Sequence, residues 1–312
     1  MSVVLGIDTS NYTTSCAIYS SEENTVVNKG KLLPVKAGER GIRQSDAVFH
    51  HVNRIYPLLE ELLKENIKID AVCASVTPRP QEGSYMPCFT VGESVARSIK
   101  AALNVPFFET SHQQGHIMAA LFSAGAMFLA KEPFLAFHVS GGTTEAILVT
   151  PDEDEIINCE IAAETLDLNA GQLVDRIGVK MGLRFPCGKE LERYALEYGK
   201  LPLVKAVLKG CNCCLSGFEN KLTEMISKGS EKAEVSAYTL SYVEATISAM
   251  TEKLLEKFGK LPIVYAGGVM SNNIIRKSLE RKFGAYFAKP EFSCDNAAGV
   301  SLIGYEKLLK RD

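Results

Sequence analysis

Leu5-Gly6-Ile7-Asp8-Thr9-Ser10-Asn11-Tyr12-Thr13-Thr14-Ser15-Cys16-Ala17-Ile18-Tyr19 is an apolar run, a short polar turn and a second apolar run. That order predicts two antiparallel strands joined by a tight turn. The plan returns in Phe134-Leu135-Ala136-Phe137-His138-Val139-Ser140-Gly141-Gly142-Thr143-Thr144-Glu145-Ala146-Ile147-Leu148-Val149. Each turn is small, rich in hydroxyls and carries a Thr-Thr pair. A repeated strand-hairpin unit suggests two similar lobes facing a shared cleft. The turns would then offer backbone N–H groups to a phosphate. Two ordinary hairpins with small turns are the plainer alternative.

Between the hairpins, Ser45 to Lys64 reads as an amphipathic helix, with Val48, Val52, Ile55, Leu59, Leu62 and Leu63 at helical spacing. Pro57 is expected to kink it or to open a new first turn. Ile69 to Val76 reads as a buried strand ended by Thr77-Pro78-Arg79-Pro80. Val91 to Leu103 reads as a helix and Val105 to Phe108 as a short strand. Beyond the second hairpin, Glu153 to Lys232 reads as mostly helical, an insertion in the second lobe. Val235 to Phe258 is a long helix. Pro262-Ile263-Val264-Tyr265-Ala266 is a buried strand that Gly267-Gly268-Val269 turns into a helix. That junction allows close approach by a nucleotide near a helix N-terminus. Ala297 to Lys310 is the last helix, behind the capping pair Asp295-Asn296.

The chain has 312 residues, 46% hydrophobic and 23% charged, enough for one large domain or two lobes. A formal net charge of -3 gives no global basic signal for nucleic acid. Nine cysteines at irregular spacing, behind a start without signal-peptide character, point to a reducing cytoplasm. The longest uncharged apolar stretch, Ile117 to Ala130, is too short to span a bilayer and reads as a buried helix. No Walker loop and no Gly-x-Gly-x-x-Gly occurs, which argues against P-loop kinases and dehydrogenases.

His112 and His116 stand four apart in Ser111-His112-Gln113-Gln114-Gly115-His116. On a helix this spacing sets both imidazoles on one face, where a divalent metal fits between them. A zinc protease of this spacing has a glutamate base after its first histidine. Gln113 cannot take a proton, so the pair reads as a metal clamp without a hydrolytic base.

These segments together resemble the TsaD/YgjD family of tRNA threonylcarbamoyltransferases, once called O-sialoglycoprotein endopeptidases. The resemblance is carried by Gly6-Ile7-Asp8-Thr9-Ser10, His51, the His112/His116 pair, Val139-Ser140-Gly141-Gly142-Thr143-Thr144 and Ala170-Gly171 with Asp175. Pro186-Cys187-Gly188 with Glu192, Leu215-Ser216-Gly217, Ala266-Gly267-Gly268-Val269 with Asn272, and Asp295-Asn296 continue it. It implies an actin/hexokinase/Hsp70-like (ASKHA) α/β fold of two duplicated lobes with a nucleotide in the cleft. On this plan the first lobe is 1–131 plus 296–312, and the second is 132–295 with a helical insertion over about 153–232.

The resemblance also implies one divalent metal held by His112, His116, Asp295 and His138, the last standing where some members have a tyrosine. Such donors suit iron or zinc better than magnesium. His138 reads equally as a core histidine, and Asp295 as a helix cap. An adenine nucleotide or adenylate is implied as ligand. Ser140, Gly141, Gly142 and Thr143 would lie at its phosphate, Asp175, Gly188 and Glu192 at the ribose, and Asn272 on the adenosine side, with Gly267 and Gly268 at the close-approach junction. The acidic pair reads otherwise as a solvated helix face.

The implied reaction is transfer of a carbamoyl group from an adenylate to the exocyclic amine of a tRNA adenosine. Implied partners are tRNA, a smaller family paralogue and a P-loop ATPase, with a homodimer as another option and no membrane. Three departures bear on the acceptor side. Asn11-Tyr12-Thr13-Thr14 stands where the family has Cys-Asp-Glu-Thr. Thr143 replaces an imidazole or amide. Thr77-Pro78-Arg79-Pro80-Gln81-Glu82 replaces a glycine-rich loop. They leave open carbamoyl transfer to a small-molecule hydroxyl, or a non-catalytic nucleotide-binding scaffold. No catalytic residue is assigned. Cys211, Cys213 and Cys214 read as packing residues ahead of a metal role, because no second Cys pair stands at finger spacing. Arg40, Arg43, Arg54, Arg79 and Arg97 form either a phosphate-contacting patch or a solvated surface.

Overall fold

The computed structural model describes residues 2–10, 12–34, 42–63, 67–293 and 296–311. In chain order the elements are β1 (Val3–Thr9), β2 (Thr13–Ser20), β3 (Thr25–Leu32), α1 (Gln44–Leu62), β4 (Ala71–Thr77), α2 (Phe89–Leu103), β5 (Phe107–Ser111) and α3 (His112–Ser123). A 3-10 turn, Met127–Lys131, precedes β6 (Phe134–Val139), β7 (Thr144–Asp152), β8 (Ile156–Glu164), α4 (Ala170–Lys180) and α5 (Gly188–Tyr198). There follow β9 (Leu208–Lys209), β10 (Asn212–Cys213), α6 (Ser216–Ser227), α7 (Lys232–Phe258) and β11 (Ile263–Ala266). A second 3-10 turn, Gly268–Ser271, leads to α8 (Asn273–Phe283), β12 (Tyr286–Phe287) and α9 (Ala298–Leu309).

Two compact units result: 1–132 with 150–159 and 291–312, and 133–149 with 160–290. Each hairpin forms with a tight register, Thr9 opposite Thr14 in one and Val139 opposite Thr144 in the other. The sheets follow one plan. The first is ordered β3-β2-β1-β4-β5 and the second β12-β11-β6-β7-β8. In each, the first hairpin strand lies antiparallel to its partner and parallel to a later strand on its other side. Read from opposite ends, the two orders coincide, so the duplication extends to topology.

Local chemistry explains most boundaries. β1 is buried along nearly its whole length, as a strand flanked on both sides should be. Its Leu5 and Ile7 pack with Ile18, Ile55, Leu58, Val72 and Ala74 in the first unit's core. In the second unit Leu135, Phe137, Leu173, Ile177, Leu191, Tyr242 and Ile247 belong to one core. α7 runs through that core, and Tyr242 Oη donates to the Cys214 carbonyl at 3.0 Å.

The structure departs from the sequence reading at four places. α1 continues through Pro57 rather than restarting there. Its buried stripe is Ala47, His51, Ile55, Leu58 and Leu62, so Val52 faces solvent and His51 occupies the core face. The expected buried helix over 117–130 is instead the body of α3 plus the 3-10 turn, with Gly125 in the left-handed region between them. The stretch 153–232 opens not with helix but with β8, the edge strand of the second sheet, and its tip, 150–159, groups with the first unit. The turn before β8 is closed by Asp152, whose Oδ1 accepts from Asp154 N and Glu155 N at 2.9 and 2.7 Å.

Candidate functional site

The first unit builds a centre at the start of α3. Ser111 caps the helix: its Oγ accepts from Gln114 N at 3.2 Å, and Gln114 Oε1 accepts from Ser111 N at 2.9 Å. Gln114 Nε2 also donates to the Ile157 carbonyl at 2.8 Å, and Gln113 N donates to the Pro78 carbonyl at 3.0 Å. The loop that departs from the family's glycine-rich form therefore helps to hold the helix entry.

Fixed in this way, His112 is the first residue of α3 and His116 lies one turn on. Their Nε2 atoms are 2.9 Å apart, with ring centroids at 4.3 Å and planes at 82°. Behind them, His112 Nδ1 lies 3.0 Å from Oδ1 of Asp8, a wholly buried carboxylate on β1. Ser75 Oγ, on the adjacent strand β4, donates to the same oxygen. Burial first, and the Asp8 charge second, push the thiols of Cys16 and Cys88 up to about 12 and about 11. Those thiols stay protonated, and Asp8 supplies the carboxylate that faces His112.

Further along the hairpin, Thr14 Oγ1 lies 2.8 Å from Nδ1 of the buried His51. Burial lowers the His51 pKa from 6.5 to about 4, against the opposing pull of Asp8. The sign follows from linkage. Below pH 6.5 the unfolded chain takes up a proton that the folded chain refuses until about pH 4. Stability present above the unfolded pKa is thus lost as pH falls through that window. This group should cost the fold about 2 kcal/mol between pH 7.5 and pH 5. Urea unfolding at the two pH values, set against His51→Gln, measures it, and equal pH slopes for both chains would contradict it.

In the second unit the turn at 140–143 and the Gly267-Gly268 junction follow the carboxyl ends of the parallel strands β6 and β11, where ligands of open α/β sheets bind. Gly267 has φ +100°, and a Cβ there would lie 2.3 Å from the Val139 carbonyl oxygen. A Cβ on Gly171 would lie 2.6 Å from Gly141 N. Both glycines let backbone press against the hydroxyl-rich turn. That turn is latched from within and without. Ser140 Oγ accepts from Gly142 N and Thr143 N at 3.3 and 3.1 Å, and Gly171 N donates to the Ser140 carbonyl at 3.1 Å. Asn169 Nδ2 donates to the Gly142 carbonyl at 2.9 Å, and Thr144 Oγ1 accepts from Ala170 N at 2.9 Å.

The expected ribose and adenosine residues also carry structural bonds. Asp175 Oδ1 accepts from Cys187 N at 2.8 Å, tying α4 to the start of α5, whose first residue is Gly188. Glu192 Oε1 accepts from Asn273 N at 2.9 Å. Asn272 caps α8, its Oδ1 accepting from Ile274 N and Ile275 N at 3.0 and 3.1 Å. Gly268, itself exposed, opens the 3-10 turn between β11 and α8. Removing the α8 bond with Glu192→Ala should cost about 1 kcal/mol, while Glu192→Gln, which keeps an acceptor, should cost less. Urea unfolding reads this directly. Equal losses for both variants would show that the acceptor oxygen is not what matters.

His138 stands on β6 opposite the buried Glu145 and beside Ala266 of β11. It belongs to the second unit, and Asp295 lies outside the described residues. Among the described residues no three His, Cys, Asp or Glu gather as a metal cage. Of the cysteine run, Cys213 is buried in β10, with its thiol pushed up to about 11 by burial and its carbonyl accepting from Leu166 N at 2.9 Å. Cys211 and Cys214 are half-buried and free. Of the arginines, Arg97 pairs with Glu93 and Glu109, and Arg54 donates to the Leu32 carbonyl. Arg40 and Asn11 lie outside the described residues. The sequence reading missed Asp8, Ser75 and Asn169 as site residues. An ionisable residue in an otherwise apolar strand was the available signal for Asp8.

Two sheets on one plan, with glycine turns at the ends of parallel strands, define an ASKHA-type α/β protein. Solved structures share that fold. HypF, in its phosphate- and nucleotide-bound form, has a TM-score of 0.61 at 13% identity over 99% of this chain and 46% of its own. The (R)-2-hydroxyglutaryl-CoA dehydratase component A of Acidaminococcus fermentans gives 0.55 at 16% over 99% and 100%. The ROK hexokinase of Thermus thermophilus gives 0.51 at 14% over 98% and 99%. The chain belongs to the TsaD family: the family model described as tRNA N6-adenosine threonylcarbamoyltransferase matches residues 27–302. A relative of that name from Sulfurihydrogenibium sp. is 30% identical over 99% of this chain and 91% of its own length. Another of that name, from Christiangramia forsetii, is 30% identical over 84% and 80%. The family is one of transferases, and the chain is a transferase-type enzyme. No helix among the described residues is long and apolar enough to cross a membrane.

Proposed function

We propose that the chain transfers a threonylcarbamoyl group from an adenylate to the exocyclic amine of a tRNA adenosine, with a divalent cation bound at His112 and His116. Membership in the family supports the reaction. The observation that carries the cation is the convergence of the two Nε2 atoms to 2.9 Å, with a carboxylate behind one ring. The donor chemistry fits iron or zinc. His138 and Asp295 are the further ligands that the family resemblance implies. A bound cation would supply Lewis acidity and a template for the phosphate or carbamoyl oxygens.

The protein's own residues would do the rest. The turn at Ser140–Thr143 would lie at the phosphate of the leaving AMP, the bonds from Gly142 N and Thr143 N to Ser140 Oγ giving way to it. Asp175 and Glu192 each have one oxygen on a backbone N–H, leaving the other for ribose hydroxyls. The amine attacks the carbamoyl carbon, the bond to phosphate breaks, and no covalent enzyme intermediate is required. tRNA is the expected substrate, and a smaller paralogue and a P-loop ATPase are the expected partners. The cytoplasm is the expected compartment.

A second reading, carbamoyl transfer to a small-molecule hydroxyl, is favoured by one observation. Thr13 is buried within β2 and Tyr12 is partly exposed, and both stand where the family carries carboxylates. Incubation with threonylcarbamoyl-adenylate and tRNA, followed by mass spectrometry of the digested nucleosides, tests the proposal. Threonylcarbamoyladenosine is the expected product. AMP release with unmodified tRNA would overturn tRNA as acceptor.

A further inference from the structure

We infer that Asp8 is a positioning residue for the cation site: it fixes the tautomer of His112 and so decides how well that ring holds a metal. The inference rests on the cation reading above and goes beyond the ligands themselves. The wholly buried Asp8 carboxylate places Oδ1 3.0 Å from His112 Nδ1. An ionised carboxylate only accepts, so Nδ1 carries the proton, and in the neutral ring that ligates a metal Nε2 carries the lone pair. That lone pair points at His116, whose Nε2 is 2.9 Å away. With His112 in that tautomer, the 2.9 Å contact calls for a proton on His116 Nε2. A cation between the rings would take the place of that proton, whereas His112 would keep the same tautomer throughout. A carboxylate behind a ligating imidazole also raises its basicity, and loss of such a group typically lowers metal affinity about 10–100-fold.

Ser75 sharpens the assignment. Its hydroxyl donates to the same oxygen and so helps to hold the carboxylate in place. Asp8 and Ser75 sit on neighbouring parallel strands at the middle of the sheet. The acceptor is therefore anchored on buried interior strands, and the histidine is brought to it by the capped start of α3.

The test uses Co2+ as probe on the full chain, with affinity measured by competition against a chromogenic chelator. Long-range 1H–15N spectra of the metal-free protein report each histidine tautomer, and circular dichroism melting reports the fold. Asp8→Asn is isosteric and should lower Co2+ affinity about 10–100-fold, with the His112 pattern shifting away from Nδ1–H. Ser75→Ala, which leaves the carboxylate in place, should change affinity much less. Asp8→Asn with native Co2+ affinity and an unchanged His112 tautomer would overturn the inference, provided His112→Ala has lost the ion. If the native chain itself takes up no Co2+, the cation reading has failed and the inference falls with it. The metal-free spectra then show separately whether Asp8 still governs the ring.

Discussion

Replacing His112 with alanine is expected to abolish tight cation binding and, with it, carbamoyl transfer. The ring supplies one of two converging Nε2 atoms. Affinity should fall by more than about 100-fold, beyond what changes behind a ligand produce. The fold should also weaken, because the buried Asp8 loses one of its donors, at a cost of about 1–3 kcal/mol. The two effects separate by measurement. Cobalt or zinc competition reads the first, and urea unfolding of metal-free protein reads the second. A variant that binds metal as tightly as the native chain would show that the pair is a core contact and not a clamp.

Gly299→Ala should be among the most damaging single substitutions in the first unit, though it adds one methyl group. A Cβ at Gly299 would lie 1.7 Å from the carbonyl oxygen of Gly115, 2.6 Å from its carbon and 2.8 Å from Ala119 N. All three are backbone atoms of α3, so nothing can rotate away and the helices must separate. The expected loss is about 3 kcal/mol or more, at the upper end for overpacking. Gly115 lies between the two histidines in sequence, so the displaced segment is the one that carries them. Gly30→Ala is the control. Its Cβ would meet the Ser15 Cβ and Thr13 Cγ2 side-chain atoms at 3.6 Å, an ordinary van der Waals contact. Unfolding curves for both variants, with cobalt affinity for any Gly299→Ala that remains folded, check this. Native stability in Gly299→Ala would refute the close crossing.

The hairpins and the histidine pair were legible in the sequence because their signals are local. A strand, a small turn and a strand need only about fifteen residues to be recognised, and i,i+4 spacing shows itself wherever a helix forms. β3 was not legible: Thr25-Val26-Val27-Asn28-Lys29-Gly30-Lys31-Leu32 is largely exposed and is held by its pairing with β2 rather than by an alternating apolar face. β8 was hidden by its place at the start of a long, mixed stretch. The His112–Asp8 contact joins residues 104 apart, and no spacing rule reaches that far. Asp175 and Glu192 illustrate a different limit. A carboxylate that ties down a helix start and one that grips a ribose look alike in sequence. Here each already holds a backbone N–H.

The position of His112 at the very start of α3 has an electrostatic consequence. The peptide dipoles of a helix sum to roughly half a positive charge at that end. A cation there is opposed by the backbone that carries its ligands, and the buried carboxylate on β1 offsets this opposition. An anion approaching the same spot is attracted by the helix, and a cation bound as proposed would add to that attraction. The arrangement thus favours ligands that bring their own negative charge, as a phosphate ester does, over neutral ones of the same shape.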